Sequence, residues 1–234
     1  VWKSSNLKGE RAISYNLSAD YYSKRYQFSI NLFRTNLKDK IQFSPADDEV
    51  KKFGYSYQWE NVDDAYVQGI ELGAKASIAR NLTAGVNWTF NQGKFKHERA
   101  EWSDPNDESV KEFPQRLKYA KESRYISRFP GMTGDFDIDY TPGTWTFSLT
   151  SSLQGSMYID YNSEDAGQNS KIKKTSTFML FNCRASKRFG MCTIYAGAKN
   201  IFSYIQDEKH TDDAAFMYAP VYGATWYVGL SVKL

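Results

Sequence analysis

The chain has 234 residues, enough for a sizeable core, and a net charge of +3, too small to point to nucleic acid as a partner. It carries 17 Tyr, 15 Phe and 6 Trp, an aromatic share of 16%, on a mean hydropathy that is polar, a pairing that favours strands. No run of about 18 apolar residues occurs, which excludes an ordinary spanning helix but not a barrel, whose strands cross with about 9–11 alternating residues.

The first ten residues, VWKSSNLKGE, lack the apolar stretch and cleavage site of a signal peptide. The expectation is a mature chain, or one whose beginning lies elsewhere. In "AISYNLSADYY", Ile13, Tyr15, Leu17, Ala19 and Tyr21 share one face of a strand against Ser14, Asn16, Ser18 and Asp20. After Ser23-Lys24-Arg25, "YQFSINLF" sets Tyr26, Phe28, Ile30 and Leu32 against Gln27, Ser29 and Asn31. "GIELGAKASI" sets Ile70, Leu72, Ala74, Ala76 and Ile78 against Glu71, Gly73, Lys75 and Ser77. The short turn Ala79-Arg80-Asn81 leads to "LTAGVNWTF", with Leu82, Ala84, Val86, Trp88 and Phe90 on the apolar side. "FDIDY" turns Phe136, Ile138 and Tyr140 away from Asp137 and Asp139, and after Pro142-Gly143 "WTFSLTSSL" repeats the pattern. "FMLFNCRAS" and "CTIYAGAKN" form a hairpin around Arg188-Phe189-Gly190, and "ATWYVGLSVKL" closes the chain.

About nine strands result, and within the quoted segments the apolar face carries no charge. The other face holds Asp20, Glu71, Lys75, Asp137, Asp139, Arg184, Lys199 and Lys233. A charge on a lipid face near the midplane costs about 2–4 kcal/mol, so its absence fits a face turned to lipid. A soluble sandwich also alternates. Connection lengths separate the two: every second connection is very short, while residues 38–66, 95–131, 155–176 and 203–224 read as long loops. That asymmetry marks an outer-membrane barrel with its short turns in the periplasm. Tyr21, Tyr22, Tyr26, Tyr140, Trp145 and Phe189 gather toward the short turns, and Trp88, Phe90 and Trp226 toward the long loops, as two girdles. The last strand then ends at the periplasmic rim and the first starts outside. An odd strand count leaves two open edges in lipid, so the expectation is the C-terminal segment of a larger barrel. Cys183 and Cys192 flank the last short turn; with a turn over 187–190, Cys183 falls near Ala196 and Cys192 near Lys187 or Ala185, too oblique for a disulfide.

"NLKGERAISYNLSADYY", "FRTNLKDKIQF", "ENVDDAYVQGIELG" and "YAGAKNIFSY", in this order and spacing, resemble the mid-to-late barrel of TonB-dependent outer-membrane receptors. "YAGAKNIFSY" is similar to their penultimate strand with its Asn-aliphatic-Phe corner, and "APVYGATWYVGLSVKL" to their final loop and strand. Ala224 stands where the family usually has Arg, and Leu234 where it usually has an aromatic. The resemblance implies an all-β, antiparallel transmembrane barrel of roughly 22 strands, of which residues 1–234 are the C-terminal part. It implies a plug and a TonB-contacting segment outside this chain, and energy-coupled import across the outer membrane of a Gram-negative bacterium. Gly229, Val232 and Leu234 resemble the terminal signal read by the barrel-assembly machinery.

Nothing resembles a catalytic constellation, so no enzyme, cofactor or bound metal is expected. His97 and His210 fall in the long loops, where they are candidates for meeting a metal complex or haem; neither has a ligand partner at metal spacing, and solvated histidines are the competing reading. The carboxylates of "ADDEV" (46–50) and of residues 212–213 lack EF-hand spacing. Loop aromatics, among them Phe53, Tyr55, Tyr57, Trp59, Trp102, Tyr119, Tyr125, Phe216, Tyr218 and Tyr222, are candidates for touching ligand, with loop-on-loop packing as the alternative. Glu71, Lys75, Arg184 and Lys199 are candidates for facing the lumen and plug. The leading function is import of an iron siderophore, haem or cobalamin; the alternatives are a carbohydrate or peptide importer of the same superfamily, a passive porin, or a small barrel enzyme or adhesin. Expected partners are the rest of the barrel, the plug, a TonB-type coupling protein and outer-membrane lipids; a surface lipoprotein stays open.

Overall fold

The computed structural model describes residues 2–3, 6–45, 48–97, 124, 126, 128–158, 174–206 and 218–233. In chain order these form β1 (Trp2–Lys3), β2 (Arg11–Tyr22), β3 (Tyr26–Pro45), α1 (Asp48–Lys51), β4 (Tyr57–Ala79) and β5 (Leu82–Phe95). They continue with β6 (Met132–Tyr140), β7 (Trp145–Gln154), β8 (Phe178–Phe189), β9 (Cys192–Lys199) and β10 (Thr225–Val232). From β2 to β10 the strands lie side by side in sequence order, each antiparallel to the next, in one sheet. Short β1 adds in parallel to the outer part of β4.

Residues directly opposite one another share a face, so the register tests the alternation strand by strand. Leu17, Leu32, Ile70 and Phe90 form one such row. Ala84, Ile138, Leu149, Cys183, Ala198 and Trp226 form another. The apolar face is therefore continuous from β2 to β10. It is also uncovered: Phe28 is 50% exposed, Val86 39% and Leu230 61%, and no large side chain among the described residues is fully buried. A water-soluble sandwich would bury these residues together, so that alternative is excluded.

The short turns stitch the strands at one rim. Ser23 Oγ accepts from the Tyr26 amide at 2.9 Å, closing the β2–β3 turn. Laterally, the Ser77 amide donates to the Arg25 carbonyl, Thr141 to Asn81, Arg188 to Thr144 and Lys233 to Met191. Backbone groups at the rim thus find partners across neighbouring hairpins. Aromatics stack above them on the apolar side: Tyr21 on Phe28, Tyr26 on Phe28, Tyr140 on Phe147 and Trp145 on Phe147.

Four details differ from the sequence reading. Residues 38–66 are mostly strand, because β3 and β4 run on as a paired ribbon past a bulge at Asp39 (φ +54), leaving 46–56 as the connection. β8 and β9 join through Gly190 and Met191, since Arg188 and Phe189 still pair with Thr193 and Cys192. Gly190 supplies the positive φ that so tight a turn needs. The shorter turn shifts the register, placing Cys183 opposite Ala198 and Cys192 opposite Phe189; both thiols are free. Tyr22 pairs with Gln27 on the polar face and leaves the girdle. Finally, β8 runs past Ser186 and puts Lys187 on the apolar face, opposite Trp145 and Ile194. Its Nζ lies 4.8 Å from the Trp145 ring centroid and 5.0 Å from that of Phe189, a rim position where the stem lies on rings and the ammonium reaches water.

The face assignment has a direct consequence. In the full-length protein refolded into lipid vesicles, Val86→Lys will lower the unfolding free energy by about 2–4 kcal/mol, whereas the neighbouring Asn87→Lys will cost under about 1 kcal/mol. Equal costs in urea titrations would contradict the orientation of β5.

Candidate functional site

The polar face is lined by short side chains that hydrogen-bond across the ladder. Ser18 Oγ donates to Asn31 Oδ1 at 2.9 Å, and Asn31 Nδ2 donates to Glu71 Oε2 at 2.9 Å. Asn87 Nδ2 donates to Asp135 Oδ2 at 2.9 Å, and Ser148 Oγ to Asp139 Oδ1 at 2.5 Å. Lys75, Gly85 and Asp137 share one row, beside a groove of about 270 Å³ that Tyr22 and Gln27 also line. Arg184 packs its guanidinium 4.3 Å from the Tyr195 ring centroid. Tyr195 lies over Gly229 and Tyr227 over Gly197; a Cβ at either glycine would run into the ring above it. Gly229 is thus required by packing, and Lys199 closes the row opposite Thr225. The candidates Glu71, Lys75, Arg184 and Lys199 therefore all fall on one face, with Val232 on the other, opposite Cys192. Leu234 lies outside the described residues.

At the opposite rim the strands project beyond the apolar band. Arg34 marks its edge on the apolar side, donating to Gln68 Oε1 at 2.8 Å and lying 4.6 Å from the Tyr66 ring centroid. Further out, Asn61 clamps the chain ahead of β2: it accepts from the Lys8 amide at 2.8 Å and donates to the carbonyls of Lys8 and Asp39. His97 sits at the end of β5, where its amide and Nδ1 reach the two Asp63 oxygens at 2.7 and 2.9 Å. Burial alone would raise the Asp63 carboxyl, but the His97 amide, the His97 ring, the Asp64 amide and the His97 charge together hold it below its ordinary value. Nothing local in the sequence announces this pair, which needs the β4–β5 register to bring it together.

The β9–β10 connection is built on Asn200, buried and at φ +50. Its Nδ2 donates to the carbonyls of Tyr204 at 2.7 Å and Tyr222 at 3.2 Å, and its Oδ1 accepts from the Tyr204 amide at 2.9 Å. Gln206 repeats the device, accepting from the amides of Tyr218 and Ala219. Phe202 stacks edge-on against Phe181, with centroids 5.2 Å apart, on the apolar side of the corner. Tyr218 is buried with Phe178 and Met157 and lines a cavity of about 420 Å³ with Thr133, Ser152 and Gln154, at the outer end of the polar face. Tyr222 is 80% exposed. In the β3–β4 connection Phe53 is 70% exposed, and Asp48 begins α1 and pairs with Lys51 at 3.3 Å. Trp102, Tyr119, Tyr125, His210, residues 212–213 and Phe216 lie outside the described residues. Among the described residues no group of His, Cys, Asp and Glu side chains is placed to hold a metal ion.

A protein-family model described as "TonB dependent receptor-like, beta-barrel" matches residues 2–201, which include most of the sheet. The chain belongs to this family. Members of the TonB-dependent receptor family are outer-membrane proteins of Gram-negative bacteria that work with a plug domain and TonB. Among solved structures, the iron transporter FrpB from Neisseria meningitidis superposes at a TM-score of 0.69 and 15% identity, over 100% of this chain and 33% of that one. The copper transporter OprC gives 0.66 at 20% identity, over 97% and 33%. The unliganded ferric citrate transporter FecA gives 0.66 at 18%, over 95% and 31%. At these identities the likeness is one of fold, and the chain spans about one third of each. These relatives are named as transporters, not enzymes.

Two outcomes follow for the TonB-dependent receptor rim. Asn200→Ala will destabilise the full-length barrel by at least about 2 kcal/mol, since buried carbonyls and an amide lose their partner, while Tyr222→Ser stays within about 0.5 kcal/mol; urea unfolding reads both. The lowered Asp63 value means that its contribution is present above the ordinary carboxyl range and is lost as pH falls through the folded value. Hydrogen exchange at the His97 amide will accelerate over that acidic window relative to its intrinsic rate, and Asp63→Asn will flatten the response.

Proposed function

We propose that residues 1–234 are the C-terminal part of the barrel of an outer-membrane receptor that imports a scarce ligand with energy delivered through TonB. The observation that carries this reading is the family match over a sheet whose one face is continuously apolar and exposed and whose other face is polar. Among the described residues β2 and β10 each pair on one side only, and open backbone edges in lipid cost several kcal/mol per group. Further strands of the same receptor close the barrel, and a plug fills it. The short turns face the periplasm and the β3–β4 ribbon faces outward.

An iron chelate is the preferred cargo, with haem and cobalamin as further members of the same class. The support is that relatives of this fold are named for iron, ferric citrate and copper. The cavity beside Tyr218 and the exposed ring of Tyr222 offer contact area at the outer mouth for an organic chelate, and His97 offers a polar contact there. Carbohydrate and peptide remain the runner-up cargoes, because wall strands do not encode ligand identity.

The test is uptake by cells carrying the full-length receptor, offered radiolabelled ferric siderophores, haem and cobalamin. Uptake of one of these will depend on the receptor and be abolished in a strain lacking TonB. Entry that persists without TonB, together with steady ion conductance of the purified protein in planar bilayers, would instead establish a passive porin.

A further inference from the structure

The polar face changes sign across the sheet. Within the apolar band it carries, from β2 to β6, Asp20, Glu71, Asp135, Asp137 and Asp139 against Lys75, while further out in the β3–β4 ribbon Lys40 and Asp63 stand opposite each other. On β7 it presents only hydroxyls and Gln154. From β8 to β10 it carries Arg184, Arg188, Lys199 and Lys233 and no carboxylate.

The wall does not neutralise these charges itself. Glu71, Asp135 and Asp139 accept from the neutral donors Asn31, Asn87 and Ser148. Among the described residues the ion pairs join Arg11 to Asp39, Lys51 to Asp48, Lys96 to Asp64 and His97 to Asp63, none of them within this row. Asp135, Asp137 and Asp139 alternate along one strand, about 7 Å apart. In a water-filled lumen, salt screens that repulsion over about 8 Å. When a folded body displaces the water the screening goes, and a desolvated carboxylate needs a cation or further donors.

We propose that this polarity orients the plug, with a Lys- and Arg-bearing face set against Asp135, Asp137 and Asp139 and a carboxylate-bearing face set against Arg184 and Lys199. The inference rests on the receptor reading, which places a plug in the lumen, and adds to it the rotational setting of that plug. The opposite charges of the two sectors reject the plug turned half-way round, since like charges would meet on both sides.

The experiment uses the full-length receptor and compares the wild type with the combined Asp135→Asn, Asp137→Asn and Asp139→Asn variant, which keeps shape and hydrogen-bonding capacity. Plug release is followed as permeation of a large antibiotic at rising urea, with heat-modifiable migration reporting that the barrel is intact. The variant will leak at least about tenfold more at a given urea concentration, the consequence of losing one charge-assisted contact. In the wild type, leak will also rise with salt, and the variant will lose most of that salt dependence. A second variant, Arg184→Gln with Lys199→Gln, will show the same loss from the other sector. A closed wild type whose Asn variant keeps both its leak and its salt response overturns the orientation by charge and leaves the receptor reading standing. A wild type that already conducts as an open, cation-selective channel overturns both.

Discussion

Within the hydrocarbon region a backbone N–H or C=O has no water to fall back on, and the pairing and facing of these strands follow from that constraint. The groups must be met by neighbouring strands, so the ladder runs unbroken from β2 to β10. An unbroken ladder fixes which residues share a row, and a shared row fixes which face each side chain takes. Lipid then selects for apolar residues on one face only, and the other face is free to be polar, small or charged. The lateral bonds between short turns extend the same requirement to the rim, where Ser77, Thr141, Arg188 and Lys233 each donate to the next hairpin.

The polar face answers a different demand. Glycines under Tyr195 and Tyr227 let large rings lie flat against the wall, so the surface offered to the lumen stays close to the backbone. Arg184 lies on the Tyr195 ring, which directs its charge along the wall. Neutral hydrogen bonds from Asn31, Asn87 and Ser148 position carboxylates without cancelling them. A wall built in this way keeps its carboxylates and cations apart and leaves them solvated, with no ion pair among Glu71, Asp135, Asp139 and Arg184.

Legibility in the sequence follows the bilayer closely. The crossing segments could be read because a lipid face punishes any polar residue at an odd position, which leaves period two in plain view. The same reading lost β3 and β4 beyond Arg34 and Gln68, because outside the bilayer both faces of the ribbon may be polar and alternation has no cause. There the strands are held by Asn61, Asp64 and Glu10, whose side chains bond backbone groups far away in the chain. Tyr22 and Lys187 were unreadable for another reason: each has an apolar body and a polar tip, so either face accepts it near a rim. The cysteine register missed because a turn over 187–190 and a turn at Gly190–Met191 have equal claims in sequence, and only the pairing of Phe189 with Cys192 decides between them.

The corner at Asn200 shows how the two regimes meet. Residues 200–203 leave the ladder with positive φ at Asn200 and Ser203, conformations disfavoured for side-chain-bearing residues unless something compensates. The compensation is local and polar: one carboxamide supplies donors and an acceptor to chain segments that no longer have strand partners, and Ser203 Oγ takes the Ala224 amide. Phe202 meanwhile keeps the apolar face closed over Phe181. The motif is visible in sequence as Asn-Ile-Phe because its two ends answer to different surroundings, Asn200 to backbone groups and Phe202 to the apolar face. Fold likeness at low identity has the same origin. What the bilayer fixes is the class of residue on each face and the bonding of each backbone group, and it leaves the outer ribbon and its connections free to vary.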